Sequence, residues 1–161
     1  MLREEYLIAL GFFAIVALIL IFLRKKPPLP YKRVRYIMTP SERKFFQVLH
    51  EAVGERFYIF TKVRVADVLL PKDAKDRSRW RSAFNKVACK HFDYVLCDRE
   101  FRIVLAIELD DRSHDRADRK ERDDFLNWAC RSAGFELMRV KLQKSYNPKE
   151  LRALVKRRVA Q

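Results

Sequence analysis

The uncharged apolar run at residues 6–23 constrains the fold of this chain more than any other feature. Eighteen consecutive residues carry no charge, and as a helix they would extend about 27 Å, close to the hydrocarbon thickness of a bilayer. A cleaved signal peptide is the alternative, but it has its basic residues before the apolar run and a small-residue cleavage site after it. Here the basic residues follow the run. We therefore predict one uncleaved transmembrane helix in an N-terminal segment, residues 1–23.

The segment that follows predicts the topology. Residues 24–37 form a proline-rich linker with six basic residues and no acid. Lysine and arginine next to a membrane span are enriched on the cytoplasmic side. We expect a single-pass protein of the cell inner membrane, anchored through residues 6–23, with its C-terminal domain in the cytoplasm.

The net charge narrows the class of partner. The formal charge of the whole chain is +14, and the part from Ile37 onward carries +9. A basic domain favours polyanions, with nucleic acid or an anionic membrane surface as the usual partners. The sequence indicates no particular protein partner. Residues 38–161 are enough for one hydrophobic core and not for two, so we predict a single domain there.

The hydrophobic pattern beyond residue 38 predicts alternating helices and strands. Thr39 to Glu42 reads as a capping box with proline at the first helical position. Gly134 is the expected stop of a later helix whose Trp128 we expect to point inward. The predicted helices begin at 40, 78, 118 and 147, and the predicted strands are 57–65, 91–97, 101–109 and 135–140, with a charged connection at 67–76. This order predicts an α/β domain in which helices flank a mixed sheet.

Acidic residues interrupt two of the predicted strands. Strand side chains alternate between faces, so Glu108 and Asp110 should point the same way. A hairpin centred near residues 99–100 would place Asp93 opposite Ile107, roughly 5 Å from its neighbours and next to Glu108. Acids in apolar strands are costly unless they are paired or bind a metal. Mg²⁺ or Mn²⁺ would suit such ligands, and pairing with nearby arginine or lysine is the alternative.

This arrangement resembles the PD-(D/E)XK nuclease superfamily, which has the restriction-endonuclease-like fold. Two strings look like its branch near the very-short-patch-repair endonucleases: Phe92-Asp93-Tyr94-Val95-Leu96 and Ile107-Glu108-Leu109-Asp110-Asp111-x-x-His114. Within that branch the chain resembles the bacterial domain-of-unknown-function family 2726, which also shares Thr39-Pro40-x-Glu42-x-x-Phe45, Lys90-His91-x-Asp93 and Arg119-x-x-Arg122-Asp123. The resemblance covers about residues 38–156.

The resemblance implies a metal-dependent phosphodiesterase. Asp93 would be the aspartate of the motif and Glu108 its central acid, with Asp110 as a further metal ligand at the position where the family has lysine. His114 would be an alternative base or ligand, because the ordinary pKa of histidine lies near about 6.5. The further candidate site residues are Glu42 and Lys90. The alternatives for single residues are structural: Glu42 as a capping acid, and His114 as a helix cap or a partner of the backbone.

A basic stretch follows the predicted acids. It comprises Arg112, Arg116, Arg119, Lys120 and Arg122. Beside a carboxylate site these side chains would contact phosphates and position nucleic acid without reading its sequence; otherwise they form a solvated face. We expect a nuclease for which DNA is favoured over RNA. The alternatives are a catalytically degenerate module at the membrane and a membrane-anchored interaction protein with no nucleic-acid role.

Overall fold

The computed structural model describes residues 2–23, 29–72, 75–110 and 117–160, and the side chains of residues 3–21, 29–72, 75–110 and 123–160. The chain divides into two units, Met1–Arg35 and Tyr36–Gln161. The helices are α1 (Leu2–Leu23), α2 (Pro40–Val53), α3 (Val65–Val68), α4 (Arg77–Ala88), α5 (Ala117–Ala133) and α6 (Pro148–Val159). The strands are β1 (Tyr58–Arg64), β2 (His91–Cys97), β3 (Ile103–Asp110) and β4 (Leu137–Lys141).

The first unit contains the predicted apolar helix. Within α1, the 19 residues Arg3–Ile21 have a mean hydropathy of 2.2, and none of this stretch is buried against protein. A straight helix of that length is about as long as a bilayer's hydrocarbon core is thick. By length and composition α1 is therefore able to cross a membrane.

The second unit is built on a four-stranded mixed sheet with the order β1-β2-β3-β4. The first three strands are antiparallel, and β4 runs parallel to β3 after the crossover through α5. The predicted α/β class and the flanking helices are confirmed. One element was missed: β1 ends at Arg64, and the chain turns at once into α3. Val65 and Ala66 are buried there, so apolar residues expected to end the strand and begin the loop instead pack as a short helix.

Each face of the sheet has its own hydrophobic core. On one face, α2 and α6 pack on β2 and β3 around Phe45, Tyr94 and Val155. On the other face, α3, α4 and α5 pack around Phe92 and Cys130. Fully burying an apolar side chain of this size contributes about 1.5–3 kcal/mol. Burial on both faces explains why β2 and β3 are mostly apolar.

One predicted core residue lies outside. The expectation that Trp128 points inward is wrong, since its side chain is 60 % exposed. Among the side chains of α5 that the structure describes, from Asp123 onward, the buried ones are Leu126, Ala129 and Cys130. A helix turns by about 100° per residue, so Trp128 lies about 200° from Leu126 and faces away from the sheet.

A bulge shifts the hairpin register by one residue. Next to the turn, Cys97 pairs with Ile103, but beyond the irregularity between Leu96 and Cys97 the pairing moves, and Tyr94 lies opposite Ile107. The expectation that Asp93 lies opposite Ile107 is therefore wrong. The predicted register holds next to the turn, where Cys97 pairs with Ile103. It fails beyond the bulge, because a bulge inserts one extra residue into one strand. Continued by one residue, the observed register places Asp93 across from Glu108.

Candidate functional site

The buried acid of the domain is on β3. Glu108 is 8 % exposed and is, within the part of the chain that the structure describes, the only charged residue that is buried. Ala106, two residues earlier, packs in the core beneath α5. Because strand residues two apart share a face, Glu108 and Asp110 point the same way, as predicted, and the side they share is that of α5.

Asp93 fastens β2 to β3 through its side chain. Its Oδ2 accepts a hydrogen bond of 3.0 Å from the backbone N–H of Leu109. Its Oδ1 accepts one of 2.9 Å from Nζ of Lys62. The carboxylate thus takes a place in the strand ladder where a backbone carbonyl would ordinarily accept. The Asp93 carboxylate is therefore fixed to the backbone of β3 at Leu109, just beyond the last paired residues of the hairpin, Tyr94 and Ile107.

Glu42 has two roles at once. Its Oε2 accepts a hydrogen bond of 2.9 Å from the Thr39 backbone N–H, and the Thr39 hydroxyl accepts one from the Glu42 N–H, so the predicted capping box is confirmed. Its Oε1 accepts a hydrogen bond of 2.9 Å from Lys62. The Tyr94 hydroxyl donates to the Glu42 carbonyl at 2.6 Å. The start of α2 is therefore fixed against β1 and β2.

The regular alternation of side chains in β1 is interrupted at Lys62. Its φ is +55°, a left-handed conformation that costs a non-glycine residue roughly 1–2 kcal/mol. Ile59 packs in the core under α2, and Val63 in the core on the opposite face, although a regular strand would put both on one face. On the partner strand, Phe92 and Tyr94 are likewise in different cores. Both strands exchange faces at Lys62 and its cross-strand neighbour.

The ammonium of Lys62 remains charged at neutral pH. Partial burial lowers the pKa of Lys62, but the hydrogen bonds to Asp93 and Glu42 outweigh this effect and raise the pKa above its usual 10.5. The Lys62 side chain is 29 % exposed. The carboxylates of Glu42 and Asp93 therefore share the ammonium of Lys62, which is partly exposed to solvent.

Arg139 on β4 joins a second pair of acids. Its guanidinium donates to Oδ1 of Asp110 at 2.7 Å and approaches Oδ1 of Asp123 at 3.4 Å. A further hydrogen bond of 3.0 Å goes to Asn127 on α5. The parallel register places Arg139 next to Glu108. Burial lowers the pKa of Arg139, while the charges of Asp110, Asp123 and Glu108 raise it, so the guanidinium stays charged.

The candidate acids thus form two pairs, each joined by one basic residue. Lys62 joins Glu42 to Asp93, Arg139 joins Asp110 to Asp123, and Glu108 has Asp93 and Arg139 as neighbours on the adjoining strands. Among the described residues, no three histidine, cysteine or acidic side chains are placed to share a metal ion. By donor type, Asp93 and Glu108 suit Mg²⁺, which is often held by one or two carboxylates and completed by water. The carboxylate of Asp93 contacts Lys62 and the Leu109 N–H, whereas Glu108 lies on the side of α5.

The remaining candidate site residues are Lys90, His114 and the basic stretch that follows β3. The ammonium of Lys90 lies over the ring of Phe125, 5.4 Å from its centroid, in a cation–π contact. His114, Arg112 and Arg116 are outside the described residues, and the side chains of Arg119, Lys120 and Arg122 are outside the described side chains. Their proposed roles stay predictions.

The two basic residues that organise the site, Lys62 and Arg139, were not predicted from the sequence. Lys62 lies between Thr61 and Val63 in an apolar strand, and Arg139 lies between the buried Met138 and Val140. A basic residue inside such a strand is a signal that it has an acidic partner. The structural alternative, that the acids of β2 and β3 pair with nearby arginine or lysine, is what the Lys62–Asp93 and Arg139–Asp110 contacts show.

The domain matches a known family model. A model described as "Protein of unknown function (DUF2726)" covers residues 34–158. The matched stretch begins before α2 and ends in the last turn of α6. Comparison with curated proteins and with solved structures gave no significant match.

Proposed function

The chain belongs to the DUF2726 family of unknown function, and from this premise we propose that it is a metal-dependent nuclease tethered to the inner membrane. The observation that carries the proposal is the placement of Asp93 across from the buried Glu108. Acids between apolar strands are stabilised by basic partners or by a metal ion; Lys62 and Arg139 provide the basic partners, and the metal ion is the proposed addition. The strand order, with three antiparallel strands and a parallel fourth after a helical crossover, is consistent with the restriction-endonuclease-like fold of the PD-(D/E)XK superfamily.

Asp93 and Glu108 would hold Mg²⁺ or Mn²⁺. Asp110 is the third ligand expected from the resemblance. Its Oδ1 accepts a hydrogen bond from Arg139, just as the oxygens of Asp93 accept from Lys62 and from the Leu109 N–H, so a bound ion would share these carboxylates with their present partners. When bound, the ion supplies Lewis acidity at the phosphate and lowers the pKa of a nearby water. DNA is the proposed substrate, with RNA as the alternative polymer.

The protein's own side chains contribute positioning and charge. The Asp93 carboxylate is oriented by the Leu109 N–H and by Lys62. Arg139 holds β4 against α5 and keeps the charge of Asp110 compensated. His114 is the proposed proton acceptor. Arg119 and Arg122 are proposed to offset phosphate charge, which such contacts do without reading sequence.

The proposal is tested with the full chain purified in detergent. Melting temperature and cleavage of plasmid DNA and single-stranded RNA are measured against Mg²⁺ and Mn²⁺ for the wild type, Asp93→Asn, Glu108→Gln and the control Asp67→Asn. Asp67 is in an exposed ion pair with Arg64, so its variant makes the same chemical change away from the site. Metal should stabilise the wild type and the control by mass action and should support cleavage by both.

In Asp93→Asn and Glu108→Gln, cleavage should fall by more than the about 10- to 100-fold that loss of an outer-shell partner costs. The metal-induced rise in melting temperature should also be lost. A wild type that neither melts higher with metal nor cleaves any of the substrates contradicts the proposal.

A second candidate is a degenerate module that binds nucleic acid or a protein partner at the membrane without cleavage. The specific observation in its favour is that Asp110 occupies the position of the family lysine and is itself neutralised by Arg139. This candidate predicts salt-dependent DNA binding that Mg²⁺ and Mn²⁺ leave unchanged, together with no cleavage. The cleavage measurement, with DNA binding measured alongside it, therefore separates the two.

A further inference from the structure

Three side chains from three elements meet at Lys62. Its Nζ lies 2.9 Å from Glu42 Oε1 on α2 and 2.9 Å from Asp93 Oδ1 on β2. An ammonium has three N–H donors, and among the described residues these two carboxylates are its hydrogen-bond partners. The Lys62 side chain is 29 % exposed, so a ligand at Asp93 has access to the ammonium.

The backbone of β1 is distorted where this contact forms. The φ of +55° at Lys62 is a conformation that residues with a side chain seldom adopt and that tends to occur at functional sites. Thr61 pairs with Tyr94 and Val63 with Phe92, so the irregularity is confined to Lys62. A purely structural ion pair on adjacent strands forms in regular backbone geometry. The Lys62–Asp93 ion pair alone therefore does not explain why the backbone at Lys62 has a positive φ.

The charge balance leaves room for a second cation. Two carboxylates and one ammonium give the Glu42–Lys62–Asp93 group a formal charge of −1. A divalent ion at Asp93 and Glu108 can therefore be accommodated while Glu42 continues to hold Lys62. Asp110 occupies the position where the family has a lysine, so the cation that the lysine would supply is missing there. Lys62 is a cation from another strand next to Asp93.

We propose that Lys62 is a catalytic residue of this site, whose ammonium binds a non-bridging oxygen of the substrate phosphate next to Asp93. The inference rests on the proposed nuclease function. In hydrolysis, a water oxygen forms a bond to phosphorus, the ester P–O bond breaks, and the water's proton passes by way of a base to the departing oxygen. Negative charge grows on the non-bridging oxygens during this step, and a fixed cation stabilises it more than it stabilises the ground state.

The test compares Lys62→Met, Lys62→Arg and the control Lys149→Met in the full chain in detergent, with Mn²⁺ and an oligonucleotide duplex. Lys149 is exposed in the first turn of α6, so its variant removes the same charge elsewhere. Loss of one charge-stabilising donor costs about 100- to 1000-fold in kcat. We expect that loss in Lys62→Met, with KM changed less than about two-fold, since an interaction made only in the transition state lowers kcat and leaves KM. The Mn²⁺-induced rise in melting temperature reports metal binding to the folded protein and should persist.

Lys62→Arg should retain part of the activity, and Lys149→Met all of it. A wild type that cleaves while Lys62→Met keeps kcat within about three-fold overturns this inference and leaves the proposed function standing. A wild type that shows neither cleavage nor metal stabilisation overturns both.

A second variant covers the case in which Lys62→Met does not fold. Glu42→Gln keeps the lysine charge and removes one of its two anchors, so kcat should fall while the Mn²⁺-induced rise in melting temperature remains. An unchanged kcat in Glu42→Gln, in a protein that melts with a single transition, would then overturn the inference.

Discussion

At the scale of single residues, the domain depends on basic side chains that each join two acids. Arg139 has a 20 % exposed side chain and contacts Asp110 and Asp123 while lying beside Glu108. Removing one partner of a buried ion pair is costly because the remaining charge stays uncompensated. Exposed pairs such as Arg64–Asp67 contribute little, since water screens them.

This difference predicts the stability of two arginine variants. Arg139→Met should lower the free energy of unfolding by about 2–3 kcal/mol, which is below the value for a fully buried pair because the group is partly exposed. Arg64→Met, in an ion pair whose side chains are 57 % and 47 % exposed, should change it by less than about 1 kcal/mol. Denaturant unfolding of the full chain in detergent, followed by tryptophan fluorescence, measures both. Equal losses would show that Arg139 does not compensate the acids around it.

At the scale of the elements, local signals determined the ends of helices, and the hairpin turn determined the strand register only as far as the bulge between Leu96 and Cys97. The capping box begins α2, and Gly134, with φ +65°, follows the last residue of α5. At the tip of the β2–β3 hairpin, Asp98 accepts hydrogen bonds from the backbone N–H groups of Glu100 and Arg102. Phe101, in the same turn, has φ +62°.

The Asp98 turn predicts an acid-sensitive contribution to stability. The side-chain hydrogen bond from Arg102 lowers the pKa of Asp98 below 3.8, and hydrogen bonds from the Arg102 and Glu100 backbone act in the same direction. A group whose pKa is depressed on folding stabilises the fold above its unfolded pKa and loses that contribution as the pH falls through the folded value. The turn should therefore weaken below about pH 4.

Asp98→Asn cannot take part in this titration. Its melting temperature should be lower than that of the wild type at pH 7, and the difference should shrink as the pH is lowered below about 4. Melting curves of the two proteins across that range measure the effect. A difference that stays constant down to pH 2 would show that the ionisation of Asp98 does not stabilise the turn.

At the scale of the whole molecule, an apolar helix and a basic folded unit belong to one chain. The unit Tyr36–Gln161 holds the mixed sheet, and the unit Met1–Arg35 holds α1. The two units differ in where their apolar side chains lie. Helix α1 exposes apolar side chains along its length, whereas the sheet of the second unit buries its apolar side chains on both faces. By length and composition α1 is able to cross a membrane, and the tether and the polyanionic partner are what we propose for the two units.

The tether predicts how the full chain fractionates. With α1 as a span and the basic linker on the inside, the protein should remain in the membrane pellet after carbonate washing. A C-terminal reporter that is active only in the cytoplasm should be active, and one that needs the periplasm should be silent. Recovery in the soluble fraction, or activity of the periplasmic reporter, would contradict this topology.

The charge of the domain predicts its response to salt. Binding of DNA by the full chain in detergent should weaken steeply as salt rises, because each neutralised phosphate releases counterions. Replacing Arg119 and Arg122 by alanine should reduce the slope of log K against log salt by about one per lost contact. Replacing Arg157 and Arg158 on α6 removes the same charge elsewhere and serves as the control. Undetectable binding at about 50 mM salt would leave the interaction-protein alternative.

Much of the fold could be predicted because its signals are local. An 18-residue run without charge, a capping box, a glycine after a helix and the alternation of Glu108 with Asp110 each depend on neighbours along the chain. They determined α1, the start of α2, the end of α5 and the face that Glu108 shares with Asp110. The pairing of acids with some basic residue was also foreseeable, because isolated charges are costly between apolar strands.

The tertiary structure decided which groups meet. Lys62 reaches Glu42 and Asp93, 20 and 31 residues away, and Arg139 reaches Asp110, 29 residues away. No local pattern specifies these partners. The bulge between Leu96 and Cys97 moved Asp93 by one position along β3, and the packing of α5 turned Trp128 outward. Local rules act through bonded neighbours, whereas partners and register minimise the free energy of the whole packed sheet, so only the assembled domain determines them.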